Sequence, residues 1–306
     1  MAKYLKRAAA VALTLIALDL AFGLAMKYVT NHAKGGDTYN LNYINRHFDA
    51  SLAIFGSSRA NHHYVSQVFE DSLGLSAYNC GVDGNGILLA YCFLNNIISE
   101  GRAPQAVIYD FFPEYDLFDN GDHQKALTRI KPFYDIDGMK EIIDDLSENE
   151  YLKLHLSTYR YNSEFIQMLS DAVSPKQVVI KGYKPMQGTM TTDFVKSDAD
   201  KKWVIDPIKV KYLRKFIALC RQHSISLVFV TSPMFNGSPG NTDNRQLLSR
   251  YGGNDLNLIE MSDDSHFLGD RNLFVDTQHM NDTGAKLFSS LLADSLRTVF
   301  NREKSI

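Results

Sequence analysis

The sequence predicts an α/β domain of three layers, with helices covering both faces of a mostly parallel sheet. Two observations carry this expectation. Short apolar runs closed by glycine or proline recur along the chain, as "SLAIFG" (51–56), "SAYNCG" (76–81), "QAVIYDFF" (105–112, stopped by Pro113) and "ISLVFVTSP" (225–233). Between them lie longer stretches whose apolar residues recur at helical spacing. Strands alternating with helices are joined by crossovers, and crossovers give parallel neighbours buried on both faces. Hydrophobic residues make up 45% of the 306 and charged residues 22%, which leaves ample material for such a core. A net charge of −3 argues against a nucleic-acid surface, which needs a basic patch.

The elements follow in order. Lys3, Lys6 and Arg7 precede an apolar stretch from Ala8 to Met26, about 19 residues, that Asp19 alone interrupts. At ~1.5 Å per residue it covers ~28 Å, close to the hydrocarbon thickness of a bilayer. Asp19 costs ~3 kcal/mol near mid-membrane, and the surrounding leucines offset much of that. Residues 1–29 are therefore read as a transmembrane anchor, although Gly23-Leu24-Ala25 also has the small-x-small pattern of a signal cleavage site. Basic residues ahead of the span keep the N-terminus inside, which puts the rest of the chain outside the cytoplasm, in the periplasm or at the cell surface. Residues 30–48 are polar and read as a linker.

Residues 49–112 form the first part of the α/β domain, with a helix over 63–73 and an apolar one over 86–101 that ends at Gly101. From 113 to 202 the alternation fails. That segment is helical and aromatic, with "YLKLHLSTYRYNSEFIQML" (151–169) and then the loop "KGYKPMQGT" (181–189). It reads as an insertion after the third strand, either a lid or substrate-binding surface over the carboxyl edge where open α/β sheets hold their ligands, or equally a helical extension that only covers apolar surface or the membrane face. Residues 203–306 complete the domain. Asp206-Pro207 opens a helix as N-cap and first-turn proline, "NLFVD" (272–276) reads as a short fifth strand, and a long amphipathic helix begins near Asn281. Cys80, Cys92 and Cys220 lack metal-ligand spacing and sit among apolar residues, as buried thiols do.

The chemistry-bearing stretch is "IFGSSRANHHY" (54–64). Ser58, at the end of the first strand, could be a nucleophile, but from this stretch alone the helix-cap reading is the stronger one. A hydroxyl becomes nucleophilic when an imidazole takes its proton and a carboxylate orients that imidazole. "LFVDTQHMNDTG" offers such a pair, Asp276 and His279, just ahead of the final helix. "DDSH" offers another, Asp263 and His266, in a more polar stretch. A metal site from His62, His63, Asp276 and His279 is the weaker arrangement, because adjacent histidines on a helix point apart.

The order of these blocks resembles that of the SGNH/GDSL hydrolase family, over roughly residues 50–112 and 203–300. "GSS" (56–58) stands where the family has Gly-Asp-Ser, "NCGVDG" (79–84) is similar to its second block, and "DTQHMNDTG" (276–284) to its last. Gly-Ser-Ser in the first block resembles the membrane-anchored branches that acylate envelope polymers such as alginate or teichoic acid. The resemblance implies a flavodoxin-like α/β/α fold and a serine esterase or O-acyltransferase acting on acetyl-bearing carbohydrate or a small ester, without metal or organic cofactor. It assigns Ser58 as nucleophile, His279 as base and Asp276 as its orienter, with the backbone N–H groups of Ser58 and Gly84 binding the oxyanion. The family's third block ends in an asparagine donor, whereas this chain reads "VIYDFFPEYD" with Asp110 near that position. An ionised carboxylate only accepts hydrogen bonds, so Asn85 is the substitute donor considered. Arg59 and Asp110 are the remaining candidate substrate contacts. The altered third block also leaves room for a non-catalytic glycan-binding or scaffolding protein on the same fold.

Overall fold

The computed structural model describes residues 1–136, 138–174, 178–191, 203–238 and 243–303. The chain opens with the apolar helix α1 (Ala2–Asn31), followed by α2 (Gly36–Arg46). The stretch expected as a linker is thus largely helical and packed. Its few apolar residues are well placed, with Leu41 and Ile44 buried in the core, and Asn40 Oδ1 accepts a 2.7 Å hydrogen bond from Tyr78. Polar composition hid a helix whose Asn40 and Asn45 side chains are hydrogen-bonded within the fold.

The domain then runs β1 (Leu52–Phe55), α3 (Ser58–His63), α4 (Ser66–Leu73), β2 (Ala77–Asn79), α5 (Ile87–Ser99) and β3 (Ala106–Asp110). The helical insertion follows, as α6 (Pro113–Asp116), α7 (His123–Ile130), α8 (Met139–Leu146), α9 (Glu150–Lys153), α10 (Ser157–Tyr161) and α11 (Phe165–Val173). The chain returns through α12 (Pro207–Gln222), β4 (Ser226–Thr231), α13 (Asn244–Gly252), β5 (Asn257–Glu260) and α14 (Asp282–Glu303). All five strands are parallel, in the order β2-β1-β3-β4-β5.

The fifth strand corrects the sequence expectation. It is Asn257–Glu260, whose two end residues are exposed, and not 272–276. Arg271–Leu273 is a single 3-10 turn, and Phe274 pairs with Met280 in an isolated bridge. An edge strand whose ends face solvent needs no continuous apolar run, so its pattern was weak, whereas the other edge strand, β2, is buried throughout.

Strand alternation divides the core in two. Ala53, Phe55, Val107, Tyr109 and Phe229 face α5 and α12, where Phe216 meets Phe55 and Tyr109 edge-on at 5.6 and 5.2 Å. Leu52, Ile54, Ile108, Val228 and Val230 face α4 and α14 on the opposite side. Within α14, Phe288, Leu292 and Leu296 are fully buried, while Leu287 is 37% exposed. Strand order reverses between β1 and β3, which opens a crevice at the carboxyl rim.

Two polar junctions fasten the insertion to this frame. Asp116 accepts from Tyr109 Oη at 2.6 Å, Phe112 N at 2.7 Å and Ile87 N at 3.0 Å, so it caps the start of α5 from outside. The fully buried Lys209 on α12 donates to Phe118 O at 2.7 Å and pairs with Asp122 at 2.9 Å. A buried ammonium is tolerated only when its donors are matched in this way.

Candidate active site

Ser58 is the first residue of α3, directly after the turn that ends β1. That turn requires Gly56, which has φ +144°, and a Cβ there would come within 2.8 Å of Ala60 Cβ and 3.0 Å of Asp110 O. Of the two serines, Ser58 points outward and Ser57 Oγ is buried with no partner among the described residues.

The structure brings together three residues that are 221 positions apart at the extremes. Ser58 Oγ lies 2.7 Å from His279 Nε2, and His279 Nδ1 lies 2.9 Å from Asp276 Oδ2. Asp276 Oδ1 also accepts the backbone N–H groups of Gln278 and His279, each at 2.8 Å. Burial alone would raise this carboxyl, but the His279 ring and those N–H groups outweigh it and hold it below the ordinary carboxylate range. The ionised Asp276 only accepts, so Nδ1 of His279 carries the proton and Nε2 presents its lone pair to the Ser58 hydroxyl.

The turn bearing His279 is fastened from below. Val275 N donates to His279 O at 2.9 Å, and Met280 N donates to His63 Nε2 at 3.0 Å. His63 must then carry its proton on Nδ1, 3.1 Å from Ser232 Oγ at the end of β4. Burial, with the nearby His279, Arg59 and His62, pushes the His63 pKa well down, so the ring stays neutral. Both its nitrogens are thereby committed, which removes it from any metal set.

Arg59 and Asp110, expected at the substrate, are instead buried beneath it and joined to each other at 3.2 Å. Asp110 also accepts from Tyr64 Oη at 2.8 Å and Ser232 N at 3.1 Å, and Arg59 Nη2 reaches Phe111 O. Asp110 is therefore the knot that ties the ends of β3 and β4 to α3. Its neighbours Arg59, Tyr64 and Ser232 N are donors, and an acceptor-only carboxylate matches them.

Gly84 lies in the turn after β2, with φ +67°. Its neighbour Asp83 is held by α3, accepting from Asn61 Nδ2 at 2.8 Å and approaching His62 Nε2 at 3.2 Å, with Lys184 Nζ at 3.8 Å. Burial opposes ionisation of Asp83, yet these donors and cations together hold its pKa well below normal. Asn85 is buried and its Nδ2 donates to Asp83 O at 3.0 Å, so it braces the turn instead of reaching outward. Lys125 on α7 comes nearer, with Nζ 3.7 Å from where a Gly84 Cβ would sit. The loop 181–189 closes the side of the site. Lys184 N donates to Asn61 O at 3.1 Å, His62 Nδ1 donates to Lys184 O at 2.8 Å, and Tyr183 Oη donates to Asp282 at 2.9 Å.

Asp83, Lys125 and Lys184 were not singled out as site residues from sequence, and His63 was weighed only as a metal ligand and not as the brace of the His279 turn. Only Asp83 left a signal, as the acid inside "NCGVDG". Comparison with known protein families and with curated proteins finds no match to this chain. The functional reading therefore rests on this geometry.

Proposed function

We propose that this chain is a membrane-anchored serine esterase or O-acyltransferase, acting outside the cytoplasm on ester-linked acyl groups of carbohydrate. The observation that supports this best is the 2.7 Å contact between Ser58 Oγ and the unprotonated nitrogen of His279. In the proposed reaction Ser58 Oγ attacks the ester carbonyl carbon while its proton passes to His279 Nε2. The N–H groups of Ser58 and Gly84 receive the developing oxyanion, with the Lys125 ammonium as a further donor in place of the absent asparagine. Collapse of the intermediate breaks the C–O bond, and the leaving alkoxide takes the proton from His279. Water or a second sugar hydroxyl then attacks the acyl-Ser58, giving its proton to His279, which returns it to Ser58. The anchor follows from α1, a 30-residue helix long and apolar enough to cross a membrane.

A fluorophosphonate probe tests the reading. The folded wild-type chain should be labelled, and Ser58→Ala should lose labelling by a factor of ~10³ or more. Labelling of the variant at the wild-type rate would overturn Ser58 as nucleophile. No labelling of the folded wild type would favour the glycan-binding alternative, for which the buried Arg59–Asp110 pair in the third block is the supporting observation.

A further inference from the structure

α1 does not stand clear of the domain. Asp19, in the middle of its apolar stretch, accepts from Ser157 N and Thr158 N at 2.8 Å each and from Thr158 Oγ1 at 2.7 Å. It thus caps the N-terminus of α10. One turn further on, Gly23 lets Ser157 approach so closely that a Cβ there would lie 2.3 Å from Ser157 Oγ. Met26 then packs with Tyr161 and Met168, and Phe22 meets Tyr161 edge-on at 6.4 Å. The depth of α10 and the start of α11 along α1 is therefore fixed.

Length decides what this means in a bilayer. If the membrane surface lay at Asp19, the charge-free helix below it would be Ala8–Leu18, about 11 residues or ~17 Å. That is roughly half of the ~30 Å hydrocarbon layer. The span must continue to Met26, where Lys27 and Tyr28 mark a boundary of the kind that charged and aromatic side chains prefer. The segment of α1 that α10 and α11 touch is then inside the bilayer.

The surface of those helices fits that position. Outside α1, one group of exposed large apolar side chains lies on 152–173, with Leu152 69% exposed, Leu156 57%, Ile166 70% and Val173 76%, and others stand at 178–180 and 203–204. Ile166, Leu169 and Val173 recur at helical spacing on one stripe of α11. An apolar stripe continuous with a membrane-spanning helix is covered by the same hydrocarbon that covers the helix.

We propose that α10 and the start of α11 are immersed in the leaflet on the domain's side, packed against α1, so that lipid acyl chains cover Leu156 and Ile166, while Val173, beside the Asp171 that bonds Lys34 and Thr38, stands at the boundary. Leu156, next to the Asp19 cap, lies deepest and Val173 shallowest. This holds the carboxyl rim of the sheet at a fixed height above the bilayer. The inference rests on the reading of α1 as a membrane anchor.

Spin labels test both separately. The full chain in phosphatidylcholine–phosphatidylglycerol vesicles would carry Leu156→Cys, Ile166→Cys or Val173→Cys, with Leu13→Cys reporting α1 and Ser295→Cys the exposed α14 surface; Cys80, Cys92 and Cys220 are buried. At Leu156 and Ile166, collision with oxygen should be high and collision with a nickel chelate roughly tenfold lower than at Ser295→Cys, because ions avoid hydrocarbon. The contrast should fall from Leu156 through Ile166 to Val173. Labels at Leu156 and Ile166 as wet as Ser295→Cys, with Leu13→Cys immersed, would overturn this proposal and leave the anchor. Leu13→Cys in water would overturn both. Labels shielded from oxygen and nickel alike would mean that a protein covers the stripe, which also overturns it.

Discussion

Two turns of this molecule carry the same local chemistry and differ in what surrounds them. In one, it is Asp264, and not the Asp263 that the sequence suggested, whose Oδ1 accepts the His266 backbone N–H at 2.9 Å and the His266 ring at 2.7 Å, while Asp263 accepts from Ser238 N. In the other, Asp276 does the same for His279 and for Gln278 N. Both are turns in which an aspartate folds back on its own backbone. The side chain of His266 is 62% exposed, whereas that of His279 is 21% exposed and has Ser58 against its free nitrogen. The acid–imidazole pair is thus cheap and local. What is rare is a third group, brought from the far end of the sequence to the one open nitrogen.

That comparison can be broken by exchange of roles. His279→Ala should lower probe labelling by ~10³-fold or more, because no base remains, whereas His266→Ala should leave the rate within about twofold. Equal losses from both, measured as labelling rates on folded protein, would mean that the second turn is structural and the first is not idle. Next in size, Asp276→Asn should cost ~10²–10⁴-fold, since an amide no longer fixes the proton on Nδ1, while Asp264→Asn should cost almost nothing.

A smaller effect concerns the oxyanion. Lys125→Met should slow labelling by about tenfold, with Lys125→Arg restoring part of it, if the ammonium near Gly84 stabilises charge. No change on Lys125→Met would leave the two backbone donors alone.

The smallest effect is on stability and sharpens how the Gly84 turn is held. Asp83 has its pKa depressed in the folded state, so its ionised form stabilises the fold above the ordinary carboxylate range. That contribution disappears as pH falls through the depressed value. Asp83→Asn should therefore be less stable than wild type in urea at pH 7, and the gap should narrow below pH ~4 as wild type loses the same charge. A gap that does not change with pH would mean that Asp83 acts through shape alone.

The expectations that held and those that failed separate along physical lines. β1, β3 and β4 were visible because central strands covered on both faces are largely apolar, as Leu52 to Phe55 are, and the edge strand β2 was visible because it too is buried. β5 was missed because, unlike the buried edge strand β2, its two end residues are exposed and leave no apolar run, and "NLFVD" misled because Leu273 and Phe274 are buried against α14 without sheet partners. Ser58, Asp276 and His279 were legible as types in a known order. Arg59 and Asp110 were also visible, but their role was not, since a buried ion pair and a substrate contact look identical in one dimension.

The sequence by itself determined the layers, the apolar first helix and the local Asp276–His279 turn, because each depends on residues within a few positions of one another. Only the tertiary structure decided which imidazole meets Ser58, that Asp110 is sealed under the site, and that Asp19 caps α10. Those outcomes depend on contacts across 51 to 221 positions of chain, which short-range pattern cannot encode.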